Sequence, residues 1–169
     1  MLNSGEIVER VWAELFKRAG GHIEPEVTDD ADIHLVVDGV RREPAEMHDG
    51  IYTFFLEGPA GSLRLRSRSG VPSLLGLGRS DHRPLGVAIK QIVLRHEGIP
   101  TYFDYDGPQF REGGCYHPED GYCWTDGEFE VPSRFFALLN GAFTLEIHTA
   151  PHYDMRYPIA ERATQAAYN

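Results

Sequence analysis

Residues 63–94 read LRLRSRSGVPSLLGLGRSDHRPLGVAIKQIVL, and this stretch decides the fold. At its start two leucines alternate with two arginines, which is typical of a β-strand with one face on a hydrophobic core. At its end residues 87–94 are mostly apolar and have the length of a buried strand. The crossing between them is polar and rich in glycine and proline, so we expect turns there. The stretch therefore predicts two strands joined by a long connection.

The composition indicates one domain built from many short elements. The chain has 169 residues, of which 41% are hydrophobic, and this is enough for a single core. The 18 glycines and 11 prolines predict many turns. A net charge of −10 repels a nucleic-acid backbone, so we expect no nucleic-acid partner. Because we find neither a membrane-length apolar run nor a signal sequence, we expect no membrane span and a cytoplasmic location.

Residues 4–19 are predicted to form an amphipathic helix. Ser4 is suited to cap its first turn, and Gly20 and Gly21 are suited to end it. The apolar stripe of this helix either packs on the domain or joins two copies of the chain. The predicted homo-oligomer contacts are Ile7, Val11, Trp12, Leu15 and Phe16. We divide the chain into the N-terminal helix (1–21), a β-sandwich domain (22–158) and a flexible tail (159–169).

Further strands are predicted wherever short apolar runs or period-two alternation occur. The segments are 33–37, 40–43, 51–56, 99–105, 128–131 and 142–148. Asp38 followed by Gly39 indicates a two-residue hairpin turn. The chain shows no βαβ rhythm, and its short strands predict a mainly β fold. We expect an antiparallel β-sandwich or jelly roll with one N-terminal helix.

Two cysteines, Cys115 and Cys123, leave a disulfide and free thiols open as alternatives. Without a signal sequence we favour free thiols. A zinc site that uses both cysteines and His117 lacks a clear fourth ligand. A calcium site at 104–107 is too short for an EF-hand loop, and an ordinary tight turn fits better. We expect neither a metal nor a cofactor.

Two motifs resemble a known group of domains. The first is SDHRPLGVAI at 80–89, and the second combines GCYHPE at 114–119 with CWTDG at 123–127. They resemble the patterns sDxRxLGVav and GxHxxE...WTxG of uncharacterised bacterial β-sandwich domains attached to glycosyltransferases, polysaccharide-biosynthesis proteins and Hint (hedgehog/intein) proteins. The resemblance spans about residues 30–147 and implies a β-sandwich in a saccharide or cell-surface setting.

The residues of these motifs also suggest a site by their chemistry. Asp81 and Arg83 precede a buried strand, where a carboxylate–guanidinium pair either holds the loop or contacts a ligand. Tyr116 and Trp124 supply apolar faces beside polar side chains, the mixture that saccharide sites use, although a core position is the alternative for Trp124. The candidate ligand-binding residues are Arg68, Asp81, Arg83, Tyr116, His117, Glu119, Trp124 and Asp126.

We favour a non-catalytic binding module for a saccharide or another polar small ligand. The alternative is a small β-sandwich or cupin-like enzyme, a hydrolase, lyase or isomerase, that uses His117 with Glu119 or Asp126. His82 with Asp81 is a further candidate pair, and the chain has no H-x-H segment of the cupin kind. A third hypothesis is an assembly protein whose interface is the N-terminal helix.

Overall fold

The computed structural model describes residues 26–75, 80–151 and 155–159. The predicted N-terminal helix and its stripe of Ile7, Val11, Trp12, Leu15 and Phe16 therefore lie outside the described residues, as do residues 160–169 of the predicted tail. Within the described ranges, no helix is both long enough and apolar enough to cross a membrane.

The described ranges contain twelve strands and two short helical segments. The first six strands are β1 (Val27–Thr28), β2 (His34–Val37), β3 (Val40–Arg42), β4 (Glu46–His48), β5 (Ile51–Leu56) and β6 (Leu63–Arg66). The last six are β7 (Ala88–His96), β8 (Ile99–Asp104), β9 (Cys123–Trp124), β10 (Glu128–Glu130), β11 (Phe143–Thr149) and β12 (Tyr157–Pro158). The helical segments are α1 (Pro108–Glu112) and a 3₁₀ turn (Ser133–Phe135).

These strands form three antiparallel sheets, so the prediction of a mainly β fold is confirmed. The largest has six strands in the order β4-β5-β11-β7-β8, with β9 also paired to β7. A four-stranded sheet has the order β10-β6-β2-β3, and β1 pairs with β12 in a third sheet. The order places β11, which lies near the end of the chain, in the middle of the largest sheet. The strands on either side of β11, β5 and β7, are therefore far from it in sequence.

The alternation of β11 separates a core face from an outer face of the six-stranded sheet. Leu145 pairs with Phe54 of β5 and with Leu94 of β7, and all three side chains are buried. Successive side chains of a strand point to opposite faces. Glu146 and His148 therefore lie on the other face, which we call the outer face.

Two-residue turns join three pairs of neighbouring strands and set their register. Both central residues of each turn have positive φ, between +48° and +83°. This is the pattern of type I′ hairpins, whose backbone twist matches that of the flanking strands. The turn predicted at Asp38 and Gly39 is therefore confirmed. The three turns are Asp38-Gly39, Asp49-Gly50 and Glu97-Gly98.

A β-bulge interrupts the pairing of β7 with β11. His148 pairs with Gln91, but the next residue, Thr149, pairs with Ile89, which leaves Lys90 as an extra residue. An extra residue bends the strand and re-aims its side chains, and such bulges occur frequently next to active sites. The bulge consequently brings Lys90 and Gln91 to one cleft together with His148.

Candidate functional site

Arg83 joins the two predicted motifs through its guanidinium group. Its Nε lies 3.1 Å from each carboxylate oxygen of Asp81, and its Nη2 lies 2.6 Å from Asp81 Oδ2. The same Nη2 donates a hydrogen bond to Glu119 Oε1 at 3.0 Å, across 36 positions of sequence. The hydrogen bonds from Arg83 hold the pKa of Asp81 below its ordinary value. The carboxylate of Asp81 is therefore ionised at neutral pH.

Two tyrosines pack around this network. The guanidinium carbon of Arg83 lies 5.1 Å from the centroid of the Tyr116 ring, a cation–π distance. The Tyr116 hydroxyl donates to the carbonyl oxygen of Pro84 at 3.1 Å, and the Tyr122 hydroxyl donates to Glu119 Oε2 at 3.3 Å. The main polar groups of the network thus bind one another. This arrangement fits the loop-holding alternative for Arg83 better than the ligand-contact alternative.

Trp124 does not offer an open face for stacking. Its side chain is 6% exposed and belongs to the hydrophobic core. The Tyr122 ring meets it edge-on, with 5.9 Å between ring centroids. This burial favours the core alternative for Trp124 over a stacking platform, because the pairing of β9 with β7 draws the ring into the core.

The predicted pairing of His117 with a carboxylate is not formed. His117 is exposed, and its Nδ1 donates to the carbonyl oxygen of Pro118 at 3.1 Å. In the described ranges no hydrogen bond or ion pair joins His117 to Glu119 or Asp126. Asp126 instead accepts a hydrogen bond from the backbone N–H of Glu128 at 3.0 Å. His117 and Asp126 thus form hydrogen bonds with nearby backbone groups, and they do not form an acid–base pair.

Two further predicted residues bind elsewhere. Arg68 Nη1 donates to the carbonyl oxygen of Asp30 at 2.9 Å and to its Oδ2 at 3.0 Å. His82 Nδ1 shares a hydrogen bond of 2.8 Å with the hydroxyl of Ser73, whereas Asp81 binds the guanidinium described above. The structure therefore brings together the Asp81 carboxylate and the second motif, but neither Arg68 nor His82 joins them.

Cys115 and Cys123 are buried free thiols, as favoured from the sequence. A hydrogen bond with Cys123 and burial raise the pKa of Cys115 well above its ordinary value. No three His, Cys, Asp or Glu side chains in the described part of the chain are placed to hold a metal ion. The turn at 104–107 is closed by a hydrogen bond of 3.0 Å from the N–H of Gly107 to the carbonyl oxygen of Asp104, the tight turn that the sequence favours.

A separate set of polar side chains lines an open cleft beside the bulge of β7. The cleft has a volume of about 440 Å³. The turn before β5, the bulge of β7, the end of β8 and the end of β11 all contribute to it. The pairing of these strands is therefore what assembles it. We call it the bulge cleft; its polar lining consists of Asp49, Lys90, Gln91, Asp104, Tyr105, His148 and Thr149.

His148, which lines the bulge cleft, belongs to a hydrogen-bonded trio with Glu146 and Arg95. His148 Nε2 donates to Glu146 Oε2 at 3.0 Å, and Arg95 Nε donates to Glu146 Oε1. Burial by itself raises the pKa of Glu146, but the hydrogen bonds from Arg95 and His148 outweigh burial, and the pKa lies below its ordinary value. The Glu146 carboxylate is therefore ionised at neutral pH and acts as an acceptor.

The remaining polar groups of the cleft are only partly engaged. Gln91 Nε2 donates to Asp104 Oδ1 at 2.7 Å. Within the residues that the structure describes, this bond leaves the amide oxygen of Gln91 and Oδ2 of Asp104 without a hydrogen bond, and the Lys90 ammonium forms no ion pair. The bulge cleft thus presents both donors and acceptors that a ligand can engage.

The sequence alone predicts only part of the arrangement of the bulge cleft. Alternation in 142–148 places Glu146 and His148 opposite the apolar side chains, which indicates that both lie on one face. Lys90 and Gln91 interrupt an apolar run. Their proximity to His148 follows from the register of β7 with β11 and from the bulge. No local pattern predicts either of these.

Comparison of the chain with protein-family models, with curated proteins and with solved structures finds no match. The resemblance to β-sandwich domains of glycosyltransferases, polysaccharide-biosynthesis proteins and Hint proteins therefore stays a prediction.

Proposed function

We propose that this protein binds a saccharide or a similarly polar small ligand in the bulge cleft. The observation that carries the proposal is a cleft of about 440 Å³ with a polar lining that is only partly hydrogen-bonded. Its volume lies in the usual range for small-molecule sites, roughly 300–1,000 Å³. Saccharides present many hydroxyl groups, each of which both donates and accepts a hydrogen bond. A site that offers both kinds of partner suits them.

The chemistry of the lining supports this ligand class. The carboxylate of Asp104 accepts hydrogen bonds, the amide of Gln91 both donates and accepts, and the ammonium of Lys90 donates. Tyr105, which is half-buried directly after β8, adds an aromatic ring beside these groups. An aromatic ring together with planar polar groups is the combination that recognises a sugar ring with its hydroxyl groups.

This proposal keeps the ligand class that the sequence favours and moves the site. The loop of the second motif borders the bulge cleft only at Gly121. The Arg83–Asp81–Glu119 network holds that loop in place. The groups that would bind sugar hydroxyls lie instead on the six-stranded sheet and directly after β8. The resemblance to domains of polysaccharide-biosynthesis proteins favours a ligand from that setting.

We further propose that the two larger sheets pack face to face as a β-sandwich. One hydrophobic cluster contains Leu35, Leu65 and Phe129 of the four-stranded sheet together with Phe54 and Leu145 of the six-stranded sheet. A shared core of this kind is what two stacked sheets produce. In this arrangement the outer face of the six-stranded sheet, with the bulge cleft, is turned toward solvent.

Binding is tested by titrating glucose, glucosamine and glucuronate into ¹⁵N-labelled protein. We expect saturable shifts of the backbone amides of Gln91 and Tyr105 with at least one of the three sugars. Asp104→Asn is expected to weaken that binding by about tenfold or more, because hydrogen bonds to charged groups contribute about 1.5–3 kcal/mol. The matched control is Asp106→Asn, because Asp106 is exposed and does not line the cleft.

Two results would contradict the proposal. One is the absence of a saturable shift with any of the three sugars. The other is an equal loss of affinity in Asp104→Asn and Asp106→Asn, which would place the binding outside the bulge cleft.

A further inference from the structure

We propose that the bulge cleft is a hydrolytic site in which His148 is the general base, Glu146 is its positioning residue, and the substrate is an acyl ester of a saccharide or polyol. The inference rests on the proposed function, because the same cleft would hold the alcohol part of the ester. His148 and Glu146, the residues of the proposed acid–base chemistry, lie outside both sequence motifs.

The Glu146–His148 pair has the geometry of an oriented general base. Both side chains are largely buried, with exposed fractions of 15% for Glu146 and 25% for His148. Arg95 binds the second carboxylate oxygen of Glu146, so the carboxylate is fixed on both sides. Because an ionised carboxylate only accepts hydrogen bonds, Nε2 of His148 carries the proton, and Nδ1 of the neutral ring carries the lone pair.

The other ring nitrogen of His148 is available to a reactant. Nδ1 makes no hydrogen bond within the described ranges. Those ranges also contain no fully buried side-chain nitrogen or oxygen without a partner, so Nδ1 is not fully buried. His148 lines the bulge cleft, and its free nitrogen can therefore accept a proton from water held there.

Lys90 supplies a positive charge on the same side of the cleft. It is the extra residue of the bulge and lies beside the position at which Gln91 pairs with His148. Within the residues described, its ammonium forms no ion pair with a carboxylate. A cation beside the reacting group stabilises the negative charge that develops on a carbonyl oxygen. Lys90 is therefore the group that would face the ester carbonyl.

The reaction needs only water as co-reactant. The oxygen of water forms a bond to the acyl carbon while its proton passes to Nδ1 of His148, and the carbonyl electron pair moves onto the carbonyl oxygen near Lys90. The electron pair then returns, and the bond between the acyl carbon and the alcohol oxygen breaks. That oxygen takes the proton from Nδ1. The products are a carboxylic acid and a free hydroxyl group, and His148 returns to its starting state.

The test measures acid release from glucose pentaacetate with a pH-stat, and glucose binding in parallel. His148→Gln is expected to lower the rate by about 100-fold or more. Glu146→Gln is expected to lower the rate, because the imidazolium that forms when His148 takes the proton loses its carboxylate partner. Glu146→Asp is expected to restore part of the rate.

The matched control is His96→Gln. His96 also belongs to the six-stranded sheet, but its Nε2 donates to the carbonyl oxygen of Asn140 at 2.8 Å, and it does not line the cleft. This variant is expected to release acid at the wild-type rate. If His148→Gln does not fold, treatment of the wild-type protein with diethyl pyrocarbonate replaces it. Loss of rate together with a carbethoxyl group on His148 is then expected.

The possible failures are distinguishable. Glucose binding without acid release above the buffer rate overturns the hydrolytic proposal and leaves the proposed binding function intact. Wild-type rates in His148→Gln, or in protein carbethoxylated at His148, overturn the assignment of the base. Absence of both glucose binding and acid release overturns the hydrolytic proposal and counts against the proposed function as well.

Discussion

Replacement of Gly86 by alanine is expected to destabilise the fold by about 3 kcal/mol. Gly86 lies just before β7, and its N–H donates to the carbonyl oxygen of Thr125 at 2.8 Å. The N–H of the next residue, Val87, donates to the Thr125 hydroxyl at 3.1 Å. A Cβ on Gly86 would lie 2.5 Å from the nitrogen of Gly127 and 2.5 Å from Thr125 Oγ1. Both distances are too short for a real Cβ, so the backbone at Gly127 and the side chain of Thr125 would have to move.

The magnitude follows from these contacts. An extra methyl group in a packed region costs about 1–3 kcal/mol, and close contact with backbone places the cost at the upper end. Displacement of Thr125 would also weaken a hydrogen bond worth about 1 kcal/mol. A loss of about 3 kcal/mol corresponds to a midpoint of thermal unfolding roughly 6–12 °C lower for a domain of this size.

Urea unfolding followed by tryptophan fluorescence measures this loss, because Trp124 lies next to Thr125. The control is Gly58→Ala, since no atom lies within 4 Å of a Cβ at Gly58. This variant is expected to keep its stability or to gain about 0.5 kcal/mol, because alanine restricts the unfolded chain. Equal unfolding midpoints for Gly86→Ala and Gly58→Ala would refute the close approach of Gly86 to the 125–127 segment.

Two further predictions concern a buried hydroxyl and an ion pair. Tyr157→Phe removes the hydroxyl that donates to the carbonyl oxygen of Gly86 at 2.9 Å, so the free energy of unfolding in urea is expected to fall by about 1–2 kcal/mol. A loss below about 0.3 kcal/mol would contradict this expectation. The hydrogen bonds from Arg83 lower the pKa of Asp81 in the folded protein. The contribution of the ionised Asp81 to stability is therefore complete above the ordinary pKa of 3.8, and it is lost as pH falls through the lower pKa of the folded protein. The stability difference between wild type and Asp81→Asn is therefore expected to shrink below about pH 4, and a difference that stays constant down to about pH 2 would argue against the ion pair.

Local periodicity predicts the central strands well. The strand predicted at 51–56 is found at Ile51–Leu56, and the strand predicted at 142–148 is found one residue later, at Phe143–Thr149. Each of these segments buries one face, so its apolar residues recur with the period of a strand. The Asp38-Gly39 turn is predictable for a similar reason, because its backbone conformation favours these two residue types.

Two short strands have no apolar period that this kind of prediction can use. Glu46–His48 pairs with β5, yet all three of its side chains are exposed, and its sequence has no apolar pattern. The strand Cys123–Trp124 has only two residues, which is too few for any period. Both strands depend on a neighbouring strand that supplies their hydrogen bonds.

The sequence by itself determined the residue types of both polar clusters, and only the tertiary structure decided which of them meet. Arg83 reaches Glu119 because the loops before β7 and β9 lie side by side, and no spacing in the chain encodes that contact. Lys90 lines the same cleft as His148 because β7 pairs with β11 in one register and carries a bulge at that point. A shift of one residue would turn every side chain of β11 to the opposite face and move Glu146 and His148 into the core.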